Sequence, residues 1–315
     1  MSIAILRTAE AWWVQTPSGA ARIATNAATT GELLADRATL SNPDAAAASS
    51  DAVPVETLHL VSPVTAPCRV VAQMTNFASH VKDSGMDPKS IPLTFFRKAS
   101  GSISGPFDDI VKPEHVRFLD YEVEIGLVIG RPLPVGSTVT TDNWSDYVAG
   151  LVIANDVSAR DIQLPKTQFY EAKSYPTFTP VGPALVLLDS NELKRFGDLR
   201  LRLRVNGELR QDMQVAGDMI YSPLQALQAL ARFQQLQPGD LVLTGTPEGT
   251  ALSAPAKPVQ VISSLLPSAF KWKVFFRQQA NNSKYLHDGD IVEATVATAE
   301  GTIDLGTQRT EVRYQ

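Results

Sequence analysis

From Pro63 onward the chain consists of short apolar runs, several alternating with polar positions and punctuated by Gly, Pro and Asp. That period of two predicts strands over Arg69 to Gln73, Tyr121 to Ile129, Val148 to Ala154, Ala184 to Leu188, Leu201 to Val205, Leu241 to Thr244 and Ile291 to Val296. Two corners, Pro238-Gly239-Asp240 and Asp288-Gly289-Asp290, each deliver the chain into one of these runs. Helical spacing is rarer. It predicts a helix over Asn76 to Lys82 and another over Ser222 to Gln235, where Ser222-Pro223 supplies a cap and first position and Leu224, Leu227 and Leu230 recur. Residues 270–277 (Phe-Lys-Trp-Lys-Val-Phe-Phe-Arg) alternate apolar and basic positions, predicting a strand or hairpin with one packed face.

The first 40 or so residues differ in texture, with strand-like pieces at Ile3 to Leu6 and Trp12 to Gln15 and a helix opening near Thr30. The stretch from Ser41 to Val55, rich in Ala, Ser, Asp and Pro, reads as a linker. The pattern therefore predicts a β-rich α+β protein, with a small N-terminal lobe and linker over 1–62 and a larger domain over 63–315.

Composition narrows the function classes. The 315 residues suffice for a sizeable core, and 28 Lys plus Arg against 33 Asp plus Glu give a net charge of −5 with 44% hydrophobic residues. This argues against disorder and offers no basic excess for nucleic acid. The single cysteine, Cys68, rules out an intrachain disulfide and a zinc site of several thiolates. No apolar run approaches the roughly 20 residues that cross a bilayer, and the first residues lack a signal-peptide pattern. A cytoplasmic protein without membrane or nucleic-acid partners is expected. Neither a GxGxxG nor a P-loop supports a nucleotide site.

Candidate chemistry begins with the acids. If residues 120–129 form a strand, Val123, Ile125, Leu127 and Ile129 share one face while Asp120, Glu122 and Glu124 share the other. That face is either solvated or a ligand set. Asp156 follows the apolar run 150–154 and either caps the next turn or points into a site. Together, Glu122, Glu124 and Asp156 offer only oxygen donors, which suits Mg2+, Mn2+ or Ca2+ better than zinc. His80 and Asp83 lie three apart on the first predicted helix, a spacing at which a carboxylate orients an imidazole as a general base, though a surface His beside an acid gives the same pattern.

Ordered motifs now carry a resemblance: NFASHVKD at 76–83, FFRKASGSISGP at 95–106, DYEVEIGLVIG at 120–130, NDVSARDIQ at 155–163, KSYPTFTPVGPALV at 173–186, VNGELRQ at 205–211, PGDLVLTGTPEG at 238–249 and DGDIVEATV at 288–296. In these the chain resembles the fumarylacetoacetate hydrolase family. The resemblance implies a mixed β-roll or sandwich catalytic domain in a homodimer, with Mg2+ or Mn2+ held by Glu122, Glu124 and Asp156. It assigns water activation to His80 and Asp83 and enolate stabilisation to Lys173, and it places Arg160, Gln163, Thr246 and Lys98 at the substrate. For Arg160, a salt bridge to Asp161 or another acid is the competing role.

Two departures stand out. Asp83 replaces the glutamate of many short-form members, and residues 250–287 form a long insert that serves as a lid, a dimer contact or surface decoration. The family acts on 2-oxo acids and 1,3-dicarbonyls. The His80 and Asp83 pair favours hydrolysis of a carbon–carbon bond in an acylpyruvate-type 2,4-diketo acid or β-diketone; the alternatives are a 2-oxo acid decarboxylase or enol–keto isomerase on the same metal, and a catalytically silent ligand-binding β-roll.

Overall fold

A computed structural model of the chain describes residues 2–36, 52–166, 169–252 and 268–315. Most of the expected linker, 41–51, lies outside them. The described strands form a nine-stranded and a five-stranded sheet, with two further two-stranded pairs.

The centre of the larger sheet is Val123–Ile129, antiparallel to Val148–Asn155 on one side and to Leu241–Leu243 on the other. Beyond Leu241–Leu243 come Val70–Gln73 and the edge strand Phe95–Lys98. On the opposite flank, Leu185–Leu187 joins Val148–Asn155 to Ile3–Arg7, so the N-terminal strands extend this same sheet. Every residue of Val123–Ile129 is buried. Ile125, Leu127 and Ile129 face a core shared with the second sheet, and Val128 faces a smaller core with Val70, Ala72 and Leu241. Gly126 fits because a Cβ there would meet Leu241 and Val152 side-chain carbons at 2.7 Å.

The second sheet runs Glu208–Gln214, Arg200–Val205, Ile291–Ala297, Asp304–Tyr314, Ile110–Lys112. Leu201, Leu203 and Val205 enter the core while Arg200, Arg202 and Arg204 stay in water, the arrangement of a sheet covered on one face.

The predicted helices form with shorter bounds. The first spans Thr30–Ala35 behind a Thr29–Glu32 capping box, the second Ala78–Asp83, and a later one Pro223–Leu230, capped by Ser222. This last helix ends before Gln235 because Leu236 bridges to Leu133 and draws the chain out of the helical path. The strand or hairpin expected at 270–277 is instead the α-helix Ser268–Gln279. The alternation at Phe270, Trp272 and Val274 concealed a helical stripe, Trp272, Phe275 and Phe276, in which Phe276 stacks on Trp272 and packs against Phe118.

Candidate active site

The acidic cluster is assembled by backbone pairing around the central strand. Ala154 lies opposite Glu124 in the register, and Asp156 N–H donates to Glu122 C=O at 2.8 Å. Glu122 N–H in turn donates to Asn155 Oδ1 at 2.9 Å. Carboxylate oxygens of Glu122, Glu124 and Asp156 consequently lie within 4.8 Å of one another, and all three residues are buried. The polar face read from the alternation is thus an enclosed cluster, with Glu122 just ahead of the strand.

Three cations answer these acids. Lys173 Nζ donates to Glu122 Oε2 at 2.6 Å and to Asp156 Oδ2 at 2.5 Å, and Lys98 donates to the other Asp156 oxygen. Arg160 is held by three partners: Nε donates to Asp120 at 2.8 Å, one terminal nitrogen to Glu122 at 2.5 Å and the other to Gln163 at 2.8 Å. Asp161, its competing partner, instead accepts from the Arg117 and Phe118 backbone.

Burial opposes charge on Glu122, but the Lys173 and Arg160 cations outweigh it and hold the carboxyl well below its usual range. Glu124 is the contrasting case. Its described hydrogen bond comes from Gly245 N–H at 2.7 Å, and no lysine or arginine among the described residues pairs with it. Burial, then the neighbouring Asp156 and Glu122 charges, push its carboxyl well above the usual range. With Asp120, four acids face three cations, and the unbalanced charge falls on Glu124. A divalent cation accepted by the three clustered carboxylates would more than offset that charge, leaving a net positive site for an anionic ligand, and the all-oxygen donor set suits such an ion.

His80, Glu122, Glu124, Asp156, Arg160, Gln163, Lys173 and Thr246 all line one cavity of about 840 Å3. Two expected residues do not. Lys98 is sealed behind the wall, donating to Asp156 and to Phe178 C=O, so it positions an acid and does not reach substrate. Asp83 shares the His80 helix, yet no hydrogen bond joins them: His80 Nδ1 is enclosed without a partner. The short aspartate arm does not span the turn. Burial moves the His80 imidazole below its ordinary pKa, so it is neutral near pH 7.

The residues that hold this arrangement were quoted within motifs but given no role. Asn76 Nδ2 donates to Thr244 C=O at 2.8 Å and to Tyr221 C=O at 3.0 Å, while its Oδ1 accepts from Tyr221 N–H. It fixes the turn that presents Gly245 to Glu124; a Cβ on Gly245 (φ +89°) would meet Asn76 Cβ at 2.8 Å. Gln211 accepts from Val123 N–H at 3.0 Å and donates to Thr246 Oγ1 at 2.9 Å. Asp218, outside every motif, accepts from Ser79 N–H at 2.9 Å and so fixes the start of the His80 helix.

The profile of the fumarylacetoacetate (FAA) hydrolase C-terminal domain matches residues 69–313. The chain belongs to the fumarylacetoacetate hydrolase family. It is 35% identical over 209 residues to the mitochondrial oxaloacetate tautomerase Fahd2a of Rattus norvegicus, a match covering 66% of this chain and 64% of that protein, less than two thirds of its length. Among solved structures, a probable 2-hydroxyhepta-2,4-diene-1,7-dioate isomerase from Mycobacterium abscessus has a TM-score of 0.75 at 29% identity, covering 100% of this chain and 99% of that one. Maleylpyruvate hydrolase from Sphingobium sp. SYK-6, solved with manganese(II) and pyruvate, shares the fold at a TM-score of 0.73 and 22% identity, covering 100% and 99%. The family assignment makes the chain a member of an enzyme family whose relatives include tautomerases and isomerases. No helix among the described residues is long and apolar enough to cross a membrane.

Proposed function

We propose that this fumarylacetoacetate hydrolase family enzyme interconverts the keto and enol forms of a 2-oxo acid on a Mg2+ or Mn2+ ion held by Glu122, Glu124 and Asp156. The observation that carries the reading is the charge imbalance on buried Glu124 beside a neutral His80 that lacks its expected carboxylate partner. When bound, the ion polarises adjacent carbonyl and carboxylate oxygens and stabilises an enolate. His80, on the cavity wall, exchanges the proton; with Nδ1 enclosed, Nε2 is the nitrogen able to reach a ligand. Lys173 holds two of the acids in register, and Thr246, braced by Gln211, offers its hydroxyl to a substrate carboxylate. The relatives named as a tautomerase and an isomerase support this chemistry.

Hydrolysis of an acylpyruvate-type diketo acid is the second reading. It needs water activated at His80, and the unformed His80–Asp83 pair weakens it. The test follows enol absorbance of oxaloacetate and release of pyruvate from acetylpyruvate, with Mg2+, in wild type and His80→Ala. Faster ketonisation without acetylpyruvate cleavage, lost in the variant, is expected. Cleavage without ketonisation would replace the first reading with the second, and metal binding with neither activity would favour a silent binding protein. A cytoplasmic homodimer completes the proposal; sedimentation of the purified chain tests the dimer.

A further inference from the structure

We propose that the substrate is a 2-oxo acid with a bulky apolar, aromatic-compatible tail, not a compact dicarboxylate. The inference rests on the 2-oxo acid reading above and adds the far half of the molecule. A cavity of about 840 Å3 falls in the range of roughly 300–1,000 Å3 that encloses drug-sized ligands.

The remaining lining is mostly aromatic and aliphatic, with Gln73, Thr75, Ser84, Thr94 and Gln278 as its uncharged polar members. Phe96 and Phe169 meet edge to face at 5.2 Å, and Trp272 and Phe275, one helical turn apart on Ser268–Gln279, meet at 5.9 Å. Phe276 anchors that helix to Phe118, while Trp272 and Phe275 remain on the cavity. A second carboxylate would find neutral donors here, the unpartnered Gln73 amide among them, but few cations. Arg160 and Lys173 are committed to acids, and the one further Lys or Arg on the described lining is Lys271, whose ammonium lies over the Trp272 ring at 5.3 Å. Apolar surface of this kind is stabilised by burying hydrocarbon and discriminates by tail size.

Calorimetric titration of the full chain with Mn2+ tests this using pyruvate, oxaloacetate, 4-phenyl-2-oxobutanoate and 4-phenylbutanoate, which lacks the oxo group. We expect the phenyl oxo acid to bind at least tenfold more tightly than pyruvate or oxaloacetate. Trp272→Leu and Phe275→Ala should each remove most of that margin with pyruvate affinity unchanged, which also reports an intact fold. Oxaloacetate binding as tightly as the phenyl compound, and weakening on Lys271→Met, would overturn the proposal. Equal losses for all ligands in the wall variants would do the same. Phenylbutanoate binding as tightly as its oxo counterpart, with no affinity for pyruvate, would keep the apolar subsite and sink the 2-oxo acid reading.

Discussion

Two segments of this protein, Arg200–Val205 and the run from Asp120 to Glu124, carry charges at every second position, with opposite fates. In Arg200–Val205 the arginines point into water and pair with an exposed-side aspartate, Asp212. Around Val123–Ile129 the acids are buried and have drawn in Lys173, Lys98 and Arg160 from three other segments. The difference is one of layers. Both strands have a neighbour on either side, but the arginine strand lies in a sheet covered on one face, whereas the glutamate strand is sandwiched between two apolar cores. An alternating charge is inexpensive where water covers the outer face, and where a second layer covers it the charge persists only with partners.

The comparison can be broken most sharply at Glu124. Glu124→Gln removes the acid that lacks a cation, and we expect metal binding by calorimetry to vanish and kcat/KM on oxaloacetate to fall by about a hundredfold or more. Lys173→Met should be next. It strands two buried carboxylates, and the expected cost is about 3–5 kcal/mol in urea unfolding of the metal-free protein, because removing one partner of a buried pair leaves uncompensated charge.

A pH series sharpens the contrast further. The folded-state pKa of Glu124 is raised, so the stability that this one group contributes to the metal-free protein is fully present below the ordinary glutamate range and is lost as pH rises through the raised value, whereas Glu122, held low, contributes in the opposite sense. Relative to Glu124→Gln, the melting temperature should therefore fall as pH rises through the raised value, and Mg2+ should suppress the decline while its uptake releases a proton measurable by calorimetry in buffers of different ionisation enthalpy. The smallest effect is expected on the outer sheet: Arg202→Ala should alter unfolding free energy by no more than about 0.5 kcal/mol, since its ion pair with Asp212 is exposed.

The same comparison explains what was legible in the sequence. Alternation told which residues share a face in both strands, but it could not tell which face is covered, because covering is supplied by residues far away in the chain. The clustering of Glu122, Glu124 and Asp156 was nonetheless readable, since these oxygen donors flank apolar runs and recur in ordered motifs. Asp83 was paired with His80 by spacing and by resemblance, and neither fixes side-chain reach. The Trp272–Phe275 wall escaped for a different reason. A five-residue alternation from Phe270 to Val274 satisfies the strand rule, while the 272, 275, 276 stripe requires two more residues to emerge and is decided by packing on Phe118.

Asn76 has a consequence for how the molecule comes into being. Its carboxamide clasps backbone 145 residues later at Tyr221 and 168 residues later at Thr244. Glu124 likewise waits for Gly245, 121 residues downstream. During synthesis on the ribosome, the His80 helix and the first acids leave the exit tunnel long before the turn that secures them exists. Contacts so distant in the chain close slowly. Until that closure the acids stay in solvent, so ion capture should mark the last stage of maturation, and a nascent chain released before Thr244 should emerge without affinity for the metal.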